Sequence, residues 1–497
     1  MSLWRFDVKG LVALAGMIVW MGHVWGQGEG ASAPKDEQAR VAVSKLTEPF
    51  SGDLDGMVKR RLIRVLTPYS KTGFFVDKGV TRGLVYDAFK QFETDLNLKL
   101  KTGNLKVLVV MIPTAAGKLA DDLLAGKGDI VAASALVTQQ RKEQVDFTDP
   151  TAKNVSEVIV TGPGGPEINS LEDLSGKTLY VSKVWAYWKD MEELSARFVK
   201  QGKPPLKLME AAPELAVEDM LEMVNAGIVP ATAAHDYLAT FWAQVFPKLK
   251  VNKGAAVKTG GEIAWVIRKG SPKLKAELNA FIAKYPEGSA ARNVLLASYL
   301  KNTKFAKAST SPEERARMEK LRSLFQKYGD KYGMDYLLMA AQGYQESTLK
   351  QEVKSQVGAI GVMQVMPATG KQMNVGDVTQ IEANIHAGVK FIRFMMDQYY
   401  GNEPNITPLN KGLFTFAAYN AGPGRIAQLR KLAAARGLDP NVWFNNVEVV
   451  TSEKVGRETV TYVSNIYKYY LGYKLIAEQM QERDKAKKEM KQGTGNH

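Results

Sequence analysis

From Met57 to about residue 300, strand signals alternate with helix signals, and no other feature narrows the fold of this chain as much. Leu62-Ile63-Arg64-Val65-Leu66-Thr67 reads as a strand, Tyr86 to Leu96 as an amphipathic helix, and Val107-Leu108-Val109-Val110-Met111 as a second, buried strand. Alternation of this kind argues for an α/β unit. The chain has 497 residues, too many for one ordinary domain and enough for two sizeable cores. At the start, Arg5 and Lys9 precede an apolar run from Gly10 to about Trp25, with a Gly/Ala/Ser-rich stretch through Ser32. This pattern predicts an export signal over residues 1–26. The run is marginal for a spanning helix, which needs about 20 apolar residues, so cleavage is favoured over anchoring. Residues 27–56 are polar and punctuated by Pro and Gly, and read as a linker.

Composition removes several chemistries. The chain has no cysteine, which excludes thiol nucleophiles, disulfides, zinc knuckles and a cysteine-linked lipid anchor. His23, His235, His386 and His497 are scattered without an i, i+4 pair, so no metal site is expected. His386, within the helical stretch Ile381–Tyr400, reads as a surface or satisfied core residue. Gly162-Pro163-Gly164-Gly165-Pro166 puts proline where a phosphate cradle needs backbone donors. No cofactor is expected. The net charge of +14 suits nucleic acid, anionic lipid or the acidic stems and polymers of a bacterial wall. No recognition helix or aromatic–basic motif appears, which argues against nucleic acid.

The chemistry is concentrated around Glu346. Glu346-Ser347 closes a helix-like run, Met334–Leu349, in which Leu337, Leu338, Met339, Ala340 and Tyr344 are neighbours. A glycosidic bond breaks when its leaving oxygen receives a proton, so the donor must retain one near neutral pH. Burial against apolar neighbours raises a carboxyl pKa and supplies that condition. The turn-rich segment from Ser355 to Pro367 follows, with Gly358 and Gly361, and then Tyr419-Asn420-Ala421-Gly422 downstream. Alone, each segment has a plainer reading: the glycines permit a tight turn, Ser355 reads equally well as a helix cap, and Tyr419 to Gly424 as a helix ending. No second acid accompanies these motifs.

Together the segments resemble the catalytic domain of the soluble lytic murein transglycosylase family, whose fold is lysozyme-like. The resemblance implies one acid/base residue, Glu346, which protonates the glycosidic oxygen and then accepts the proton of the muramic acid 6-hydroxyl, giving a 1,6-anhydro product. It also implies that Met363, Gln364, Tyr419 and Asn420 line the saccharide cleft and that Ser347 and Ser355 lie near the glutamate. Glu458-Thr459-Val460-Thr461-Tyr462-Val463 matches a further piece of the pattern, which brings Tyr462 to the site and leaves Glu458 structural. Leu349 stands where the family usually has Phe, and Val362 where it has Leu.

The α/β region carries a second resemblance. Gly83-Leu84-Val85-Tyr86-Asp87, Gly126-Lys127-Gly128-Asp129-Ile130, Thr138-Gln139-Gln140-Arg141 and Val145-Asp146-Phe147-Thr148 resemble an extracellular solute-binding protein of the amino-acid-binding type, over roughly 57 to 305. The resemblance implies that Arg141 grips a ligand carboxylate, as a planar bidentate donor can. The best register puts His235, with Asp236 next, where the family has an Asp for an α-amino group. An ordinary amino acid is then a doubtful ligand and a wall peptide stem a better one, with a non-binding scaffold as the alternative.

The two resemblances, in this order, are those of the membrane-bound lytic murein transglycosylase F family. The expected architecture is an α/β two-lobed periplasmic solute-binding domain over 57–305, then a mainly α lysozyme-like domain over 306–478. The junction runs from Thr303 to about Glu314, and a polar basic tail, frayed at its end, covers 479–497. The expected partners are peptidoglycan glycan strands and a muropeptide or peptide ligand, with peripheral membrane association at the outer membrane of a Gram-negative periplasm. A lysozyme-type hydrolase and a non-catalytic wall-fragment sensor are the alternatives.

Overall fold

The computed structural model describes residues 48–77, 80–300 and 312–494. The expected export signal, most of the linker and most of the junction lie outside the described residues. The chain divides into two compact units. One comprises Ser44–Met318 with Leu471–His497, and the described part of the other is Glu319–Tyr470.

The first unit is α/β and two-lobed, as its alternating signals require. Its first lobe holds a five-stranded sheet in the order Leu108–Pro113, Leu62–Thr67, Ile130–Val131, Val266–Arg268, Val145–Phe147. The first three pair in parallel and Val266–Arg268 pairs antiparallel to both neighbours. Sheets covered on both faces need nearly continuous apolar strands, which is why Leu62–Thr67 and Leu108–Pro113 lack a clean alternation. The helix Leu84–Lys99 places Phe89, Phe92 and Leu96 at spacings of three and four, one face, against Ile63, Val65 and Trp265. In the second lobe the ten-residue strand Ala152–Thr161 lies between Ala231–His235 and Lys250–Ile263, antiparallel to both. Ile159, Leu179, Val181, Met191 and Phe198 form the core beneath it.

The order of the unit begins before Met57. The Phe50 amide donates to the Gly126 carbonyl at 2.8 Å. Asp53 caps the helix Leu54–Lys59, whose Met57 is fully buried in the first lobe's core.

At the other end, the last helix runs Arg457–Thr494. From Leu471 onward it packs with the α/β unit, Ile476 joining the first lobe's core and Ala486 a core cluster of the second. Arg483 and Lys487, one turn apart and so on one face, meet acids of the helix Val217–Asn225. Arg483 donates to Asp219 and, at 2.9 Å, to the Tyr69 carbonyl. Lys487 pairs with Asp219 at 2.7 Å and with Glu222 at 3.3 Å. The segment expected as a polar tail is therefore helical to Thr494, because partner acids far away in sequence neutralise it.

The second unit is mainly helical, built from Tyr336–Ser347, Ile381–Tyr400, Pro408–Ala421, Pro423–Ala435 and the start of the last helix. Its core includes Met339, Ile385, Ile392, Phe414, Phe416 and Trp443. Between Thr348 and Pro367 the chain forms a loop closed by the antiparallel bridge Ile360–Val365. No helix among the described residues is long and apolar enough to cross a membrane.

Candidate active site and ligand cavity

Glu346 lies in the last turn of Tyr336–Ser347, a helix capped at its start by Asp335, which accepts from the Leu337 amide at 2.9 Å. The helix stops because Thr348 and Leu349 both turn left-handed, with φ of 56° and 59°. The Tyr462 hydroxyl donates to Glu346 Oε1, and Gln342 Nε2 donates to that same hydroxyl at 3.2 Å. Burial pushes the Glu346 carboxyl up from its ordinary 4.5 to about 7, and the Tyr462 and Gln342 hydrogen bonds pull against that rise. No charged side chain among the described residues contributes to the shift. The carboxyl is thus about half protonated at neutral pH, able to give a proton and, once ionised, to take one back.

The loop after the helix is held by specific bonds. Ser347 Oγ donates to the Val362 carbonyl at 2.9 Å and accepts from the Lys350 amide at 3.1 Å. Ser355 Oγ accepts from the Ala359 amide at 2.9 Å, so both serines tie backbone. Met363 is fully buried, and a Cβ on Gly388 would lie 2.6 Å from its own Cβ, which makes it a core residue seated on the helix Ile381–Tyr400. Only its carbonyl is turned toward the site, where it accepts from the Tyr419 hydroxyl at 3.2 Å. Gln364 sits at φ 46° and spends its amide nitrogen on the carbonyls of Gly361, at 2.9 Å, and Val353, at 3.2 Å. Asn420 Oδ1 accepts from Thr459 Oγ1 at 2.6 Å. Tyr419 and Tyr462 both feel the Glu346 charge, and burial drives both phenols well above their ordinary 10. Glu346, Tyr462 and Tyr419 therefore converge, whereas Ser347, Ser355 and the Met363 side chain support the loop.

Two residues outside the sequence expectations complete this geometry. Gln342 precedes Glu346 by one helical turn, a spacing that the 3.6-residue period makes legible. Asn384, fully buried, accepts from the Met363 amide at 2.8 Å and donates to the Ile360 carbonyl at 2.7 Å. At Gly361, φ 77°, a Cβ would come within 2.7 Å of the Asn384 amide, so glycine is required there by space and by conformation. No local signal ties Asn384 to the loop, since Met363 and Ile360 lie more than twenty residues before it.

The α/β unit contains a cavity of about 360 Å³ lined by Arg141, Ser70, Trp185, Glu218, His235 and Tyr237, among others. Arg141 donates to the Leu136 carbonyl at 3.1 Å, and its short helix is capped by Thr138. Glu218, also buried, accepts from Ser70 Oγ at 2.6 Å. His235 faces the cavity as a neutral imidazole, burial having pulled it down to about 4. Asp236 is not among the lining residues: its carboxylate accepts from the amides of Tyr237, at 2.9 Å, and Ser156, at 3.3 Å. Arg141 is thus at the cavity and Asp236 is a backbone anchor beside it. His386 stacks on Tyr328 at 4.2 Å and meets the Tyr332 hydroxyl at 2.7 Å, a satisfied histidine.

Comparison with known proteins agrees with this division. Residues 63–294 match the family of bacterial extracellular solute-binding proteins, family 3, and residues 323–441 match the transglycosylase SLT domain. The chain thus belongs to the class in which a solute-binding domain is followed by an SLT domain. It is 26% identical over 426 residues to a membrane-bound lytic murein transglycosylase F of Desulfosudis oleivorans, covering 82% of this chain and 89% of the relative. It is 28% identical over 429 residues to the protein of that name from Pseudomonas fluorescens, covering 82% and 84%. Among solved structures, the substrate-binding protein of an amino acid ABC transporter is 20% identical, with a TM-score of 0.40, over 48% of this chain and all of that one. Over 82% of its length the chain is thus similar to proteins named membrane-bound lytic murein transglycosylase F.

Proposed function

We propose that this chain is a peptidoglycan lytic transglycosylase that cleaves the β-1,4 bond between MurNAc and GlcNAc and leaves a 1,6-anhydro-MurNAc end. The observation that carries the reading is Glu346: one half-buried carboxyl, raised to about 7 by desolvation, held by a phenol, with no charged side chain among the described residues contributing to the rise. Its proton goes to the glycosidic oxygen as the bond from C1 breaks. The carboxylate then takes the proton of the 6-hydroxyl as that oxygen bonds to C1, so the sugar supplies the nucleophile and no second carboxylate is required. Met363's carbonyl fixes Tyr419, and Gln364, Tyr419 and Asn420 position the saccharide.

In this reading the α/β unit binds a carboxylate-bearing wall fragment through Arg141 and regulates cleavage. The protein works in the envelope of a Gram-negative bacterium, in the periplasm against the outer membrane. Incubating purified sacculi with the full chain and with its Glu346→Gln variant tests the catalytic assignment. The amide keeps the shape but cannot shuttle the proton, and loss of about 10²- to 10⁴-fold in soluble fragment release is expected. Near-normal release by a folded variant would move the acid role to another residue.

A further inference from the structure

We propose that Gln342 is a positioning residue for the glycan cleavage, acting on Glu346 both directly and through the Tyr462 hydroxyl. The inference rests on the reading of Glu346 as the acid/base and goes beyond it. Gln342 is fully buried, and it lies one turn before Glu346 on the same helix face. Its Nε2 donates to Tyr462 Oη at 3.2 Å, and that hydroxyl donates in turn to Glu346 Oε1. A phenol that accepts one hydrogen bond gives its own proton more strongly, so the chain amide–phenol–carboxyl is cooperative. With the phenolic proton committed to Oε1, the acid proton of Glu346 resides on Oε2, and the direction of proton delivery is set.

The amide has a structural cost that packing does not explain. Gln342 Oε1 is buried with no hydrogen-bond partner among the described residues. An unsatisfied buried acceptor destabilises the fold, and an apolar side chain of the same length would avoid that penalty. The cost is understandable if the nitrogen end of the amide serves the site. The titratable groups facing Glu346 are Tyr462 from the last helix and Tyr419 from Pro408–Ala421, and both remain neutral phenols near pH 7. Over that range the only group of the three that titrates is Glu346.

The test is the pH profile of cleavage by the full-length chain, for wild type, Gln342→Met, Tyr462→Phe and the double variant. Activity of wild type falls on the alkaline side as Glu346 ionises, around pH 7. Gln342→Met weakens the Tyr462 donor to the carboxylate, so the alkaline limb moves to higher pH and the maximal rate drops. Its melting temperature stays at or above that of wild type, because the orphaned acceptor is gone. In the Tyr462→Phe background the same change produces a smaller shift, whereas a residue acting only on packing or independently of that hydroxyl would give an equal one. An unmoved limb in Gln342→Met, or an equal shift with and without the Tyr462 hydroxyl, overturns the proposal. Gln342→Leu gives the same readout should the methionine variant not fold. If Glu346→Gln keeps its activity, the acid assignment itself has failed. If that variant is inactive and Gln342→Met leaves the limb in place, the failure belongs to Gln342 alone.

Discussion

Two carboxylates withdrawn from water, one in each unit, have been driven in opposite directions by their surroundings. Glu346 in the helical unit is surrounded by phenols and an amide, and burial lifts it to about 7. Asp219 in the α/β unit is no less buried, yet Arg483 and Lys487 hold it down at about 2. Desolvation acts on both, and it is the charge of the partners that decides the outcome. A neutral, hydrogen-bonded acid is poised to exchange a proton. An ion-paired one is locked in its charged form and serves to anchor a helix.

The contrast is broken most severely at Asp219. Asp219→Asn leaves Arg483 buried without its counter-charge, and removing one partner of a buried pair typically costs about 3–5 kcal/mol. Denaturant unfolding of the full chain should show the loss in the transition that includes the α/β unit. An unchanged midpoint would mean that the last helix contributes little to that unit.

The signs of the two shifts give opposite pH dependences. Asp219 is depressed below its ordinary 3.8, so its contribution to stability is complete above about pH 4 and is lost as pH falls toward 2. Glu346 is raised from 4.5 to about 7, so the folded state carries no cost below pH 4.5 and the full cost above pH 7. At 1.36 kcal/mol per unit that cost is about 3 kcal/mol. Glu346→Gln should therefore match wild type in stability near pH 4 and exceed it by up to about 3 kcal/mol at pH 8. A stability difference that does not grow between those two pH values would show that the carboxyl is not held as a neutral acid.

A smaller effect sharpens the distinction between site and scaffold within the helical unit. Replacing Gln364 or Asn420 by Ala should reduce turnover by about 1–3 kcal/mol in transition-state free energy, the usual effect of losing one well-placed polar contact. Because both side chains also hold backbone or Thr459, kcat and KM should be measured with the melting temperature. Full activity in both would confine them to scaffolding.

The sequence made some of this legible and hid the rest for identifiable reasons. The strand Leu62–Thr67 and the helix Ile381–Tyr400 stand where local pattern put them, the strand because burial on both faces gives a short continuous apolar run and the helix because burial of one face repeats on its period. The desolvated setting of Glu346 was legible because its apolar neighbours precede it on the same helix. Asp236, next to His235 in the register that the resemblance implies, starts the helix Asp236–Ala243 and gives its carboxylate to backbone amides, leaving His235 at the cavity. The Lys/Glu-rich end read as a frayed tail because its counter-ions, Asp219 and Glu222, lie more than 260 residues earlier. Local periodicity carries no information about partners at such separations. Met363 fell on the expected loop, yet its side chain packs inward against Gly388, a contact fixed by the fold and invisible to the motif.

The most direct test of the account is the mass of the fragments released from purified peptidoglycan by the full chain. A single acid that returns its proton through the 6-hydroxyl predicts muropeptides ending in 1,6-anhydro-MurNAc, each lighter by one water than its hydrolysed counterpart. Release of fragments with ordinary reducing ends, and none lighter by water, would show that Glu346 activates water and would contradict the transglycosylase reading.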